Sequence, residues 1–290
     1  MTLPLVLEVL IQGMLTGLVY GLMALGLSVI FGVVRVVNFA HGEFAVVGMY
    51  AAFLLFTTLK IDPFVVMAPL AALFFVVGYA LQRSLVVHFI RRPDHEQFIL
   101  LVGLAIIMVN GLLMIFGPDA RHVDLPYSYD SWMLGPVLVD KVRAYAALAA
   151  LGVAGALFAF FRYTQTGLAI RACADNLTGA AVVGLDIDKL YALTFGIGLA
   201  CVGAAGALLV SIADVTPMLA PAFTLLAFTI VIIGGLGSMG GALLGGLVIG
   251  VAEALASIVV APSMKTMVSF GLLVVILALR PQGLMGKRAA

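Results

Sequence analysis

Long apolar runs separated by short polar connections set the pattern of this chain. A helix needs about 20 consecutive apolar residues to span a bilayer, and in hydrocarbon only helices or closed barrels satisfy every backbone group. Barrel strands would alternate apolar and polar residues, whereas these runs are continuous, so they predict transmembrane helices. The runs fall at 5–30, 43–59, 64–82, 98–117, 142–162, 190–212, 221–236, 241–260 and 264–280.

The first and seventh runs depart from a simple span. The first is long enough to continue as a half-helix, and the seventh is short and ends among glycines. Eight full spans with re-entrant pieces therefore fit almost as well as nine spans. We expect an all-α, polytopic transmembrane bundle of eight or nine spans with broken or re-entrant segments, formed as a single domain over residues 1–290.

The composition agrees with a membrane protein, because 64% of the 290 residues are hydrophobic, 10% are charged and the mean hydropathy is +1.23. Soluble proteins carry about 25% charged residues, so the soluble enzyme classes are excluded. A net charge of +1 provides no basic field for nucleic acid. The two cysteines, Cys173 and Cys201, are too few for a disulfide framework and are expected to be small packing residues.

The distribution of Lys and Arg predicts the orientation. With the N-terminus outside, ten of these residues fall in inner connections and five in outer ones. The inner set is Arg35, Arg83, Arg91, Arg92, Arg162, Arg171, Lys189, Arg280, Lys287 and Arg288, and the outer set is Lys60, Arg121, Lys141, Arg143 and Lys265. We therefore expect the C-terminus in the cytoplasm and a periplasmic loop at about 117–140, ordered by its prolines and aromatic residues.

Motif searches do not favour an enzyme. The sequence contains no nucleotide-binding P-loop, no nucleophile elbow and no HExxH motif. The candidate acids and bases are scattered along the chain, and no cluster of His and Cys predicts a metal site.

The first polar interruption is SVIFGVVRVVNFAHGEF at Ser28–Phe44. Arg35, Asn38, His41 and Glu43 lie there between two apolar runs, and ionisable residues at membrane depth are functional candidates by default. The alternative is structural: Arg35 anchors the interface, while the other three residues cap the next helix, where an acidic residue near the N-terminus is favourable.

The second interruption is IIGGLGSMGGALLGG at Ile232–Gly246, with seven glycines in fifteen residues. Such density indicates a turn or a close backbone approach. Each half of the chain thus holds one interrupted pair of apolar runs, which is typical of a transporter pathway. The alternative, compatible with the first, is that these glycines let helices pack closely in lipid.

One acidic residue, Glu253, lies midway along the eighth run. A carboxylate there is costly in lipid, so it should face a polar interior or carry a proton. It is a candidate for the substrate or proton pathway, and an interhelical hydrogen bond is the favoured alternative.

The longest inner connection, 164–188, predicts a short amphipathic helix on the cytoplasmic surface, with Gly184 as its stop. Its apolar stripe is Leu168, Ala169, Ala172, Cys173, Leu177, Ala180, Ala181 and Val183, and Arg171, Asp175 and Thr178 lie on another face. Such a helix can rest on lipid. Its single basic residue argues against an anionic-membrane anchor, and its small residues fit a groove in a protein partner.

Three stretches resemble the membrane-spanning subunits of bacterial ATP-binding-cassette (ABC) importers for branched-chain amino acids. They are GLVYGLMALGLSVIFGVVRVVNFAHGEF at Gly17–Phe44, RACADN at Arg171–Asn176 with VVGLDIDKLYALTFGIG at Val182–Gly198, and the glycine-rich Ile232–Gly246. The similarity runs through nearly the whole chain and is greatest to the first of the two dissimilar permeases that such systems combine.

This resemblance implies a single permease domain in the bacterial inner membrane that hydrolyses no ATP itself. The implied partners are a second permease of the same family, two cytoplasmic ATPase subunits that hold ATP and Mg, a periplasmic substrate-binding protein and membrane lipid. Related permeases also carry urea, short amides or aromatic acids, so the resemblance leaves the substrate open.

The resemblance also implies that 164–188 is the coupling segment that docks into an ATPase, through Leu168, Arg171, Asp175, Gly179 and Gly184. The pathway would run between two permeases. Its expected wall residues in this chain are Asn38, His41, Glu43, Gly234, Gly235, Gly237 and Glu253.

Two other classes of transport protein stay open at this point. An ion-coupled secondary transporter needs its own buried ion site, for which only Glu43, Glu253 and His41 supply protonatable groups. A passive channel for a small solute needs no motor at all.

Overall fold

The computed structural model describes residues 3–90, 92–135, 137–259 and 265–286. Arg91, Lys287 and Arg288, which contributed to the predicted orientation, lie outside these ranges. The helices are α1 (Leu3–Val34), α2 (His41–Leu59), α3 (Pro63–Ser84), α4 (Asp94–Phe116), α5 (Lys141–Tyr163), α6 (Gln165–Asp175), α7 (Leu177–Val182), α8 (Ile187–Leu209), α9 (Ala220–Gly234), α10 (Met239–Val259) and α11 (Lys265–Leu279).

Eight helices in the described ranges are long and apolar enough to cross a membrane, which confirms the predicted polytopic helical fold. They are α1 to α5, α8, α9 with the 3₁₀ turn before it, and α10. The ninth predicted run corresponds to α11, whose apolar part, Met267–Leu279, is shorter.

The fold is not purely helical, because the loop before α5 contains an antiparallel hairpin of β1 (Ser131–Leu134) and β2 (Val137–Asp140). Val137 and Val139 turn inward and pack with Ile11 and Leu15 of α1. Four-residue strands are too short for alternation to stand out from a loop rich in prolines and aromatic residues, which is why the sequence predicted order here without strands.

Glycines allow the central helices to pack at close range. A Cβ added to Gly17 of α1 would lie 2.6 Å from the carbonyl oxygen of Gly246 in α10. One added to Gly26 would lie 2.4 Å from the carbonyl oxygen of Gly198 in α8. Small residues bring membrane helices into van der Waals contact in this way, so α1 lies at the centre of the bundle.

The connections between helices lie at two opposite ends of the bundle, because successive spans run in opposite directions. At one end, backbone hydrogen bonds of 3.0 and 2.9 Å join Arg121, in the loop before α5, to Val215, in the connection between α8 and α9. At the other end, the turn between α9 and α10 meets the segment that follows α11. After the predicted orientation, these are called the outer end and the inner end below.

Candidate functional site

The connection between α1 and α2 runs back into the bundle. Nε2 of His41, the first residue of α2, donates a hydrogen bond of 2.9 Å to the carbonyl oxygen of Met23. Met23 lies eleven residues before Val34, where α1 ends, or about 16 Å along the helix axis. Arg35, at φ +57°, turns the chain out of α1. The six residues that follow α1 therefore return to mid-helix depth before α2 begins.

Asn38 shapes the turn that leads into α2. Its Oδ1 accepts a hydrogen bond of 3.1 Å from the amide of Ala40, within the turn itself, whereas α2 has no side-chain cap hydrogen bond, so the capping expected of Asn38 is not found. The side chains of Asn38 and His41 are fully buried, and Asn38 Nδ2 and His41 Nδ1 have no hydrogen-bond partner among the described residues. A buried polar group that finds no partner, in the protein or in water, costs about 1–3 kcal/mol.

A single hydroxyl joins the start of α2 to α9. Thr224 Oγ1 accepts a hydrogen bond of 2.8 Å from the amide of Gly42 and donates one of 2.8 Å to Oε2 of Glu43. Glu43 is buried, and a Cβ at Gly42 would lie 2.2 Å from the amide nitrogen of Thr224. Sequence reasoning missed Thr224, because an isolated Thr in an apolar run is ordinary in membrane helices.

Two glycines close the turn between α9 and α10. A Cβ at Gly234 would lie 2.1 Å from the carbonyl oxygen of Gly241, so neither position admits a larger residue without movement. Gly235 and Gly237 have φ angles of +106° and +77°, which favour glycine. This stretch therefore forms a turn and a close helix contact, as the packing interpretation expects, and its place in a transporter pathway stays a prediction.

The segment after α11 pairs with this turn. The amides of Leu284 and Met285 donate hydrogen bonds of 2.8 and 2.9 Å to the carbonyl oxygens of Ile233 and Gly234. These are carbonyls of the last turn of α9, which have no partner within the helix. The C-terminal segment thus completes the hydrogen bonding of α9 at the inner end.

A cleft of about 940 Å³ opens beside the turn. It is bordered by the end of α1, by α6, by the α9–α10 turn and by the C-terminal segment. Arg35, Arg171, Asp175, Gly237 and Gln282 are among its lining residues, whereas Asn38, His41 and Glu43 are not. The structure therefore brings Gly237, predicted in the pathway, together with Arg171 and Asp175, predicted in the coupling segment.

The predicted coupling segment, residues 164–188, forms two helices rather than the one expected. α6 ends at Asp175, Asn176 adopts an extended backbone, and its Oδ1 accepts a hydrogen bond of 2.8 Å from the amide of Gly179 to begin α7. Asn is a strong N-cap, and this local preference outweighs the continuous apolar stripe. The predicted stop at Gly184 is confirmed: its φ is +84°, and the amide of Leu185 bonds to the carbonyl oxygen of Ala180.

The break in the segment divides its apolar residues between two faces. Gly167, Ile170, Cys173 and Ala180 are buried against the bundle. The stripe members Leu168, Leu177 and Val183 are instead exposed, as is Val182. Because the segment lies outside the predicted spans, this exposed apolar surface is typical of a contact with a protein partner or with the membrane surface. We call it the coupling surface.

Burial raises the pKa of the Cys173 thiol above its ordinary value, through desolvation of the thiolate. The residue is 3% exposed, so it packs α6 onto the bundle, as the sequence predicted for both cysteines. The segment formed by α6 and α7 therefore packs one face against the bundle and exposes another.

Glu253 lies between helices. Its Oε1 accepts a hydrogen bond of 2.9 Å from Ser269 of α11, which is the interhelical bond favoured at the sequence level. Neither Glu253 nor Ser269 lines the inner cleft. The place of Glu253 in a substrate pathway stays a prediction.

Polar contacts join the loops of the outer end. Asp62 caps α3 by accepting a hydrogen bond of 2.9 Å from the amide of Phe64, and it also accepts one from the Tyr127 hydroxyl. Burial and this neighbouring carboxylate raise the pKa of Tyr127. His122 Nδ1 lies 2.8 Å from Asp214 Oδ1, in the connection between α8 and α9. The expected ordered loop is confirmed.

Within the described part of the chain, no group of three His, Cys, Asp or Glu residues is arranged to hold a metal ion. The polar contacts above are hydrogen bonds that position helices.

Comparison with known proteins gives consistent results. Residues 9–277 match the family described as branched-chain amino acid transport system / permease component. The chain is 32% identical to the high-affinity branched-chain amino acid transport system permease protein LivH of Salmonella typhimurium, over 97% of this chain and 96% of the relative. It is 30% identical to the corresponding protein BraD of Pseudomonas aeruginosa, with the same coverage. No solved structure matches the chain.

Proposed function

The chain belongs to the family of branched-chain amino acid transport permeases, and from this premise we propose that it is the LivH-type permease subunit of an ABC importer for branched-chain amino acids. It is a multi-pass membrane protein and a non-catalytic subunit. The names of LivH and BraD, relatives that align along nearly their whole length, support the substrate class.

In this proposal the subunit works with a second permease of the same family, two cytoplasmic ATPases that hold ATP and Mg, and a periplasmic binding protein. The inner end faces the cytoplasm and the N-terminus lies outside. The bias of Lys and Arg toward the inner connections supports this orientation.

The observation that carries the proposal is the coupling surface. Leu177, Val182 and Val183 expose apolar side chains outside the spans, while the opposite side of the segment packs on the bundle. The adjoining inner cleft is lined by Arg171, Asp175 and the α9–α10 turn. An ATPase bound here would move α6 and α7. The ends of α1 and α9, which border the same cleft as α6, would move with them. Leu168, Gly179 and Gly184 complete the proposed segment.

The proposed gate lies where α2 meets α1 and α9. Asn38, His41 and Glu43 are buried there, so they hold a closed contact rather than line an open path in this conformation. The glycine turn of Gly234, Gly235 and Gly237 holds α9 and α10 in close contact in this conformation, and Glu253 ties α10 to α11. Movement of α2 from α9 would open the pathway.

Co-purification with the ATPases tests the coupling surface. Leu177→Asp with Val182→Asp places two carboxylates on it, and we expect loss of bound ATPase and of ATP-driven leucine uptake. The matched control is Met133→Asp, at an exposed position of the outer hairpin, which should retain ATPase. ATPase binding unchanged in the double variant would contradict the proposal. Uphill uptake by the chain alone under a proton gradient would favour a secondary transporter.

A further inference from the structure

The inner cleft extends from the inner end into the bundle along α1. Its lining includes Ser28 and Gly32 of α1 and Arg35 just beyond the helix. Ser28 lies seven residues before Arg35, which is about 10 Å along the helix axis. The volume of about 940 Å³ falls within the range of small-molecule sites. The cleft therefore has the depth and the volume to hold a small solute.

A buried hydroxyl lies at the deep end of the cleft. Ser28 is 0% exposed, and its Oγ forms no hydrogen bond with the described residues. Buried polar atoms nearly always have a partner in the protein, in water or in a ligand. Because a serine hydroxyl can both donate and accept a hydrogen bond, Ser28 Oγ is available to a polar group that enters the cleft.

Charged side chains of both signs border the open end of the cleft. Arg35, Arg171 and Asp175 are exposed lining residues, so the described lining has two guanidinium groups against one carboxylate. Arg171 and Asp175 lie four residues apart on α6 and therefore share one face of that helix. A guanidinium can bind a carboxylate through two parallel hydrogen bonds, and a carboxylate attracts an ammonium group. This set of charges fits the zwitterionic head group of an amino acid.

Apolar side chains form much of the remaining wall. Phe161 of α5, Ile232 of α9, Leu236 of the α9–α10 turn and Met239 of α10 line the cleft. Removal of aliphatic surface from water is favourable, so this wall fits the branched side chain of leucine, isoleucine or valine. It gives no such contact to a small polar amino acid or to inorganic phosphate.

From this arrangement we infer that the inner cleft binds a branched-chain amino acid that has reached the cytoplasm. The carboxylate lies at the arginines and the side chain lies against the apolar wall. This assignment rests on the proposed function, because the importer delivers that solute to the inner end. Asn38, His41 and Glu43 do not line the cleft, so the site is separate from the proposed gate.

A bound amino acid would slow further import. The cleft is bordered by α6 on one side and by the end of α1 and the α9–α10 turn on the other. These are the elements that a bound ATPase would move in the proposed function. A solute that contacts them together stabilises the arrangement in which they enclose it, so the subunit would respond to the internal concentration of its own substrate.

Photolabelling of the intact transport complex tests binding. The complex is placed in nanodiscs without the periplasmic binding protein, and the probe is a leucine analogue with a diazirine in its side chain. Labelled peptides are mapped by mass spectrometry. We expect labelling of peptides that contain 28–35 and 232–239, and loss of this labelling in excess leucine. Labelling confined to peptides outside the cleft would overturn the inference.

Two analogues of leucine test the head group. The amine 3-methylbutylamine lacks the carboxylate, and 4-methyl-2-oxopentanoate lacks the ammonium group. Loss of a hydrogen bond to a charged group weakens binding by about tenfold or more, so each analogue should compete at correspondingly higher concentrations than leucine. Competition by the oxo acid equal to that by leucine would show that the site takes branched carboxylates rather than amino acids. Equal competition by the amine would show that the arginines bind no carboxylate. Either result would overturn the inference.

Substitutions in the cleft separate charge from packing. Arg35→Gln and Arg171→Gln should each weaken competition by leucine several-fold, whereas Arg83→Gln, at an exposed arginine of α3 outside the cleft, should leave it unchanged. Leu236 is 51% exposed, so the fold tolerates its replacement. Leu236→Asp should weaken binding more than Leu236→Asn does, because only the aspartate repels the carboxylate. Equal effects of the three arginine variants, or of the two Leu236 variants, would contradict the site. Thermal denaturation of each variant confirms that folded complexes are compared.

Uptake into proteoliposomes tests the effect on transport. The vesicles hold ATP inside and the binding protein outside, and the initial uptake of labelled leucine is measured with and without unlabelled leucine inside. We expect internal leucine to slow uptake several-fold, and Arg35→Gln to bring the ratio of the two rates closer to one. Absence of uptake by leucine-free vesicles would contradict the proposed function itself. Uptake that does not respond to internal leucine would overturn the further inference alone.

Discussion

Glu43 and Thr224 lie 181 positions apart in the chain, and their side chains form a hydrogen bond of 2.8 Å. The same hydroxyl accepts a hydrogen bond from the amide of Gly42 at the start of α2. A single side chain of α9 thus satisfies a backbone donor and a carboxylate oxygen of α2, and all three groups are buried.

Thr224→Val is expected to destabilise the protein and to reduce transport. The substitution keeps the volume but leaves the Gly42 amide and the Glu43 oxygen without this partner, at about 1–3 kcal/mol for each buried group. Thr224→Ser keeps the hydroxyl and should retain most of both properties. Thermal denaturation of the purified complex and ATP-driven uptake measure the two effects. Equal behaviour of the Val and Ser variants would show that the hydroxyl does not join the helices.

Much of the helical fold could be predicted from the sequence, because continuous apolar runs leave few alternatives in a membrane. The run at 43–59 became α2 at His41–Leu59, and Gly184 ends α7. These features are local, since a run or a single φ angle determines each.

The long-range contacts could not be predicted. Thr224 meets Glu43 only because the connection after α1 returns to the level of Met23, and no local pattern encodes that return. The break at Asn176 was missed for a different reason, since a strong N-cap can interrupt a helix even where the apolar spacing continues.

Gly234→Ala is expected to lower the melting temperature strongly. The added Cβ would lie 2.1 Å from the Gly241 carbonyl oxygen, and overpacking of this kind costs about 1–3 kcal/mol or more. Gly152→Ala is the matched control, because Gly152 is also helical and its added Cβ meets nothing within 4 Å. It should be neutral or stabilising by up to about 1 kcal/mol. Similar melting temperatures for the two variants would mean that α9 and α10 separate at little cost.

Met285→Pro tests the pairing of the C-terminal segment with α9. Proline has no amide hydrogen, so the Gly234 carbonyl oxygen loses the donor that now lies 2.9 Å away. The expected loss is about 1 kcal/mol. Met285→Ala keeps the amide and removes a half-exposed side chain, so it should cost less. The measurement is the melting temperature of each variant. If Met285→Ala lowers it as much as Met285→Pro does, the hydrogen bond from residue 285 does not contribute to stability.

Alkylation of Cys173 should report whether α6 is packed on the bundle. Only the thiolate reacts, and because burial raises the pKa of Cys173, the thiolate fraction is smaller at every pH below that value. In a Cys201→Ala background, iodoacetamide should modify Cys173 slowly at neutral pH, and the rate should increase at a higher pH than for an ordinary thiol of pKa about 8.5. A chain with both cysteines changed to Ala and Val182→Cys provides an exposed thiol on the same segment, at a position 81% exposed. Equal rates for the two thiols across the pH range would show that α6 leaves the bundle in solution and that its buried face is not a fixed contact.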